Sequence, residues 1–369
     1  MTRYRPTVAV VDLDAVRHNV RAVRPPETDL MAVVKANGYG HGAVPVARAA
    51  LDAGAAWLGV ALVEEGVRLR EAGIEAPILV LTEFPRGAEK EALAARLTPT
   101  LYTEDGIAGL AEAAGSFGRP VGVHVKIDTG MHRVGLLPDR ADGFLDLLAE
   151  RKLILDGILT HFAKSEAPSD PATRAQLEGF LDLLARLDAR GIRPRVRHAA
   201  NTAASIGIPE SRLDLVRIGI GVYGVSPDPS LDGALELRPA MSLRSRVSLV
   251  KRLGRGHGVS YGLTYRLSRD ASIATVPVGY ADGYARALAD GGQVLIRGRR
   301  YPVVGNVTMD HLMVDYGDDP VEAGDEVVLF GRQDEEEVRI EEVAAWWGTI
   351  GYEVVCAVSE RVPREYVGS

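Results

Sequence analysis

The chain has 369 residues, 46% hydrophobic and 25% charged, with a formal net charge of -7, which fits a globular protein of two domains or one large barrel with an appendage. The acidic balance offers no electrostatic footing for nucleic acid or an anionic membrane, and a single cysteine, Cys356, excludes an internal disulfide framework and suits a reducing compartment. The opening MTRYRPTVAVVDLD shows neither an apolar leader core nor a cleavage pattern, and no apolar run approaches the roughly 20 residues that span a bilayer, so a cytoplasmic location is expected.

In chain order, short β-branched runs alternate with helical stretches through the first 225 or so residues. The expected strands are LMAVVK (30–35), WLGVAL (57–62), ILVLT (78–82), TPTLY (98–102), VGVHVKID (121–128), ILDGILTHF (154–162), VRHAA (196–200) and LDLVRIG (213–219). Between them lie amphipathic segments such as AVPVARAALDAG and RAQLEGFLDLLARLDARG, the second with apolar residues at a helical period and Gly191 just past its end. Eight strands alternating with helices predict parallel βα units, and eight is the number that closes a (β/α)8 barrel. An open doubly wound sheet is the rival, because a count does not establish closure.

After SPDPSLDG (226–233) the pattern changes to strand-like runs separated by turns: MSLRSRVSLVKRLG, ASIATVPVGY, QVLIRGRRYPVVG, HLMVDYG and DEVVLFG. In this half IEEVAAWWG (340–348) alone reads as a helix. The expected division is a barrel over 1–230, whose first few residues pack with the second domain, and a mostly antiparallel β domain over 231–369.

Reactive side chains of a barrel belong at the carboxyl ends of its strands. Those ends carry Lys35, Lys126 with Asp128, His161, Asn201 and Arg217. The basic residues include just six lysines against 37 arginines, so lysine at two of these ends favours chemistry that needs an amine able to lose its proton. AANTAA (199–204) runs from a strand end into a helix start with Thr202 available to an anion, and RIGIGVYG (217–224) adds glycines that let backbone amides approach it. The G-x-G-x-x-G match at Gly219, Gly221 and Gly224 fails as a dinucleotide fingerprint, because VSPDPS follows where a helix should open. A phosphate cup beside a strand-end lysine suggests pyridoxal phosphate, with the lysine as its covalent anchor. Arg217 next to the cup would leave the pyridine nitrogen unprotonated, since a guanidinium has no acceptor. No metal-ligand spacing, Walker A or nucleophile elbow is present.

The motifs AVVKANGYGHG, VKIDTGMHRVG, THFA, HAANTAA, VRIGIGVYG, GVSYG, VGYADGYAR, GNVTMD and TIGYEV occur in the order of the alanine racemase family, which the chain resembles over nearly its whole length. The resemblance implies a pyridoxal 5′-phosphate enzyme that interconverts L- and D-alanine and supplies D-alanine for peptidoglycan. It implies a (β/α)8 barrel, a C-terminal β domain and a homodimer whose sites combine one subunit's barrel with its partner's β domain. Lys35 matches the Schiff-base lysine and one base, and Tyr261 the opposing base from the partner chain. Tyr39, Thr202, Gly219, Ile220 and Tyr352 match the phosphate contacts, Arg217 the residue on the pyridine nitrogen and His161 a histidine near the ring. Arg133 and Met309 match the substrate-binding pair, Lys126 a lysine often carried as a carbamate, and His198 the support of Arg217. Asp310 matches the partner-contributed substrate wall, and Tyr280 and Arg286 the channel to the site. Thr202, Ile218, Thr308 and His132 stand where serine, proline, cysteine and glycine are commoner, and none of these departures removes a reacting group. A serine or broader racemase of the same fold stays open, as does a non-catalytic cofactor carrier. A decarboxylase of this architecture would need an acid where Arg217 stands.

Overall fold

The computed structural model describes residues 4–118, 120–289 and 291–368. The chain divides into two compact units, one of Val16–Gly38 and Ala43–Leu237, the other of Met1–Ala15, Tyr39–Gly42 and Arg238–Ser369.

The chain's first strand, β1 (Val8–Asp12), belongs to the second of these units. The next eight build the first unit: β2 (Asp29–Val33), β3 (Trp57–Val60), β4 (Ile78–Val80), β5 (Thr100–Leu101), β6 (Val121–Lys126), β7 (Leu153–Leu159), β8 (Val196–His198) and β9 (Leu215–Ile218). Successive members pair in parallel, and β9 returns to pair with β2. Thr98 carries the β4–β5 seam, its N–H donating to Ile78 O at 2.8 Å and its carbonyl accepting from Val80 at 3.0 Å. At the β8–β9 seam Asp214 N–H donates to Arg197 O (3.1 Å) and Arg217 N–H to Ala200 O (3.0 Å). The ring therefore closes as a (β/α)8 barrel, and the open-sheet alternative is set aside. Every residue of β3, β4 and β9 is buried, as expected where helices cover one face and the barrel interior fills the other. Met31, Trp57, Leu79, Val196 and Leu215 form a buried apolar cluster within this unit.

The second unit is mostly antiparallel β. Strand β1 lies between Met241–Arg246, antiparallel, and Arg364–Val367, parallel. A three-stranded sheet of Leu249–Leu253, Ala271–Val276 and Leu312–Gly317 stands beside it. Val259, Leu267, Ala271, Ile273 and Val304 pack as its apolar cluster. Two differences from the sequence reading stand out. A second helix, Gly351–Ala357, follows Ile340–Trp347 in this unit. At two turns, with Val354 and Val355 inside, it is too short and too β-branched to show a helical period. Strand β2 also stops at Val33, two residues before Lys35.

Candidate active site

Lys35, two residues past the end of the first barrel strand, stands at the head of a left-handed turn. Ala36, Asn37, Gly38 and Tyr39 have φ of 51°, 52°, 62° and 50°. Each non-glycine residue in that region costs roughly 1–2 kcal/mol, least for asparagine, so neighbours must hold it. Glu65 does so by accepting from Ala36 N–H at 2.6 Å, while its other oxygen caps Ala61 and Leu62 at 2.8 and 3.2 Å. Asn37 Oδ1 accepts from Ala43 N–H at 3.0 Å, and Gly38 N–H donates to Val34 O at 2.9 Å. A Cβ on Gly38 would press on Ala43 backbone atoms at 3.2 Å, on a φ that side chains already resist. The Tyr223 hydroxyl donates to Val33 O at 2.9 Å. The glycines and tyrosine behind Lys35 thus serve a tight turn that fixes where its amine leaves the strand end.

Arg217, on β9, is buried and donates to three carbonyls: Thr160 (2.7 Å), Ala199 (2.8 Å) and His198 (3.0 Å). It also donates to Nδ1 of His198 and, sharing the two Nη2 hydrogens with Thr160 and Ala199, to Nδ1 of His161, each at 3.1 Å. A guanidinium has donors alone, so both imidazoles must accept at Nδ1 and carry their proton on Nε2. Burial, followed by the Arg217 charge, pushes both histidines well below the ordinary imidazole range. Burial also lowers the Arg217 guanidinium to about 9. These bonds use both Nη atoms. Among the described residues Nε–H has no protein partner, so one donor of this cation remains for a ligand or water.

Lys126 ends β6 and is buried. Burial lowers its ammonium to about 8, with Arg217, Arg133 and Lys35 adding repulsion and Asp128 opposing it. Four cations thus converge at one mouth of the barrel. Asp128 Oδ1 caps the loop after β6, accepting from the N–H of Gly130, Met131 and His132 at 3.0 Å each. That loop carries Arg133, which is exposed. Lys126 also makes a stability prediction. Between pH 8 and 10.5 the unfolded chain still holds a proton that the folded amine has released, so this group makes stability rise with pH across that window. Urea midpoints of the apoprotein and of Lys126→Met, compared near pH 7.5 and pH 10, should show that rise in the parent and its loss in the variant.

Beyond β8, Asn201 caps the helix Thr202–Gly207, its Oδ1 accepting from Ala204 N–H at 3.0 Å while its Nδ2 donates to Ser165 Oγ at 2.8 Å. Gly219 N–H donates to Thr202 Oγ1 at 3.1 Å, and Ile220 opens the 3-10 turn that follows. Lys35, Lys126, Arg133, His161, His198, Asn201, Thr202, Arg217, Gly219 and Ile220 all lie at the carboxyl ends of barrel strands or in the loops just after them.

The other sequence-predicted residues lie in the β-rich unit. Tyr39 and Tyr352 face each other with ring centroids 6.1 Å apart, and burial raises the Tyr39 phenol. Tyr261 heads a short 3-10 turn and is 75% exposed. With Tyr280, Arg286, Asn306, Val307 and Thr308 it lines an open recess of about 480 Å³. Asn306 ties the recess together. Its Nδ2 donates to Tyr261 O at 2.7 Å, its carbonyl accepts from Ser260 Oγ at 2.6 Å, and its Oδ1 accepts from Arg286 at 3.3 Å. Met309 is half exposed beside it, its carbonyl accepting from Ala281 N–H, and Asp310 pairs with Arg361 at 2.7 Å. Sequence reasoning missed Glu65, whose helix position gives no hint that it braces Lys35. It also missed His124, although the alternation of β6 places that ring on the same face as Lys126.

Among the described residues no cluster of three or more His, Cys, Asp or Glu could hold a metal ion, and no helix is long and apolar enough to cross a membrane. Cations around two neutral imidazoles at the carboxyl mouth of a barrel make a site for a small anionic ligand with a ring acceptor. Residues 11–227 match the model of the alanine racemase N-terminal domain and residues 240–366 that of the C-terminal domain. An alanine racemase of Symbiobacterium thermophilum is 51% identical over 99% of this chain and 98% of its own length. One of Desulfovibrio desulfuricans is 45% identical over 98% of both. The crystal structure of alanine racemase from D-cycloserine-producing Streptomyces lavendulae superposes with a TM-score of 0.96 at 43% identity, covering 100% of this chain and 98% of that one. The Bacillus anthracis alanine racemase with bound L-Ala-P gives 0.92 at 38% identity, over 100% of this chain and 96% of that one. The fold and these matches define an amino-acid racemase, an isomerase. The chain belongs to the alanine racemase family.

Proposed function

We propose that the chain racemises alanine with pyridoxal 5′-phosphate held at the carboxyl mouth of the barrel, using Lys35 and the Tyr261 of a second copy as bases on opposite faces of Cα. The observation that carries the cofactor reading is the unpartnered Nε–H of buried Arg217. A pyridine nitrogen is the acceptor that would satisfy it without taking a proton. Lys35 would anchor the cofactor. Asn201, Thr202, Gly219 and Ile220 of the barrel would hold its phosphate, and neutral His161 would lie near its ring. When bound, the cofactor delocalises the electron pair left at Cα when the proton departs.

The remaining work falls to this chain's own residues. Arg133 and the Met309 N–H bind the substrate carboxylate and set the Cα–H across the line between the two bases. Lys35 exchanges a proton on one face and Tyr261 on the other, so neither group has to travel around the carbon. Lys126, with an amine lowered to about 8, is nucleophilic enough near neutral pH to take up carbon dioxide, and the carbamate would hold Arg133 by charge-assisted hydrogen bonds. Tyr280, Arg286 and Asp310 line the approach. The wide exposure of Tyr261, Met309 and Leu263 supports a homodimer in which this face covers a neighbour's barrel. D-alanine made in the cytoplasm would serve peptidoglycan. Purified protein given L-alanine and pyridoxal 5′-phosphate should form D-alanine until the two isomers are equal, and serine should turn over more slowly. No D-alanine, with cofactor bound, would leave a carrier in place of an enzyme.

A further inference from the structure

Arg217 is one end of a polar chain that crosses the barrel. His198 Nε2 lies 2.8 Å from His124 Nδ1, and His124 Nε2 lies 3.7 Å from Asp156 Oδ2. Because His198 accepts from Arg217 at Nδ1, its proton sits on Nε2 and must be donated to His124. His124 then carries its own proton on Nε2, which makes no hydrogen bond but faces the Asp156 carboxylate at 3.7 Å, an electrostatic contact. The carboxylate at the far end can accept alone. A donor-only cation and an acceptor-only anion therefore dictate the same direction through two neutral rings. Reversing His198 would set a ring N–H against Arg217, and reversing His124 would set its Nδ1–H against the Nε2–H of His198; either loses a buried hydrogen bond, at about 1–3 kcal/mol.

The backbone is shaped for this path. The β6–β7 register slips between Val123 and His124, so His124 pairs with Gly157, and Asp156 is the extra residue of a bulge. Bulges of this kind re-aim a side chain. A Cβ on Gly157 would sit 2.5 Å from the His124 ring, so glycine is what makes room for the imidazole. Trp57 closes the other side with its ring 5.5 Å from that of His124. Arg195 holds Asp156 with two hydrogen bonds of 2.9 and 2.8 Å. The His124 N–H and the Arg195 guanidinium keep the Asp156 carboxyl well below the usual range, so it stays ionised.

We propose that His124 and Asp156 are positioning residues for Arg217: the Asp156 carboxylate fixes the proton on His124 Nε2, which fixes His198 as the acceptor that orients the guanidinium. The effect on catalysis rests on the reading that Arg217 faces the cofactor's ring nitrogen. With the anion two imidazoles away, no carboxylate competes for the Arg217 Nε–H, which stays free for that nitrogen.

The test uses the holoenzyme with histidine labelled by 15N, and three variants. In the parent, the His198 and His124 protons should both be found on Nε2, and finding either on Nδ1 overturns the proposal without any variant. In His124→Leu the His198 ring should lose its single tautomer, the visible band of the bound cofactor should move, and kcat should fall roughly ten- to a hundredfold with little change in the alanine KM, as when the outer partner of a ligand is removed. His124→Asn, which keeps an acceptor near the Nδ1 position, should restore most of the tautomer, band and kcat. Asp156→Leu should scramble the tautomers in the same way. A folded His124→Leu protein with unchanged nitrogen shifts and cofactor band overturns the positioning role. Arg217→Lys separates the two readings, because an unmoved cofactor band there would remove Arg217 from the ring nitrogen while the histidine tautomers still report on the chain through the barrel.

Discussion

Lys35→Ala should lose racemisation by about ten-thousandfold or more, the upper end of what one acid–base group supplies, together with the absorption band of covalently held cofactor. The reason lies in the double duty proposed for one amine, anchor and base. The variant should fold normally. Lys35 is half-buried at a turn that Glu65, Asn37 and Val34 hold through the backbone, so removing its stem opens no core cavity. It also removes one of the cations that depress Lys126 and His161, and the thermal midpoint should be unchanged or higher. Lys35→Arg is the sharper control. It keeps the charge but supplies no amine that can deprotonate or form the covalent link, and it should be as inactive as alanine. Substantial activity in Lys35→Arg would mean that charge alone is what residue 35 contributes.

The second large effect is expected at the other base. Tyr261→Phe removes one exposed hydroxyl, so stability should move by no more than about 0.5 kcal/mol, while racemisation falls roughly 100- to 10,000-fold. Both directions must fall equally, because the equilibrium constant does not change. The asymmetry should appear in the exchange of the Cα proton with heavy water. L-alanine, whose proton Tyr261 would take, should stop exchanging, whereas D-alanine should still exchange through Lys35. Undiminished exchange from L-alanine would remove Tyr261 from that face.

The eight barrel strands were legible because burial on both faces writes them as β-branched runs that need no alternation. Closure was not, since it depends on Thr98 bridging β4 to β5 and on Asp214 and Arg217 reaching β8, pairings between segments with no local signature. The polar strand ends could be read because barrel geometry says where side chains converge. What holds them could not. Ala36, at positive φ, answers to Glu65, 29 residues away. His124 was within reach of alternation, but Asp156 was not, because the bulge at that point breaks the rule that would have placed it.

The central claim is that each site takes its amine from one chain and its phenol from another. Lys35→Ala and Tyr261→Phe, each inactive alone, can be mixed under conditions that exchange subunits. Half of the dimers would then be mixed, and one of their two sites would pair an intact Lys35 with an intact Tyr261. The account predicts recovery of about a quarter of the parent activity. Proven subunit exchange with no recovered activity would contradict it.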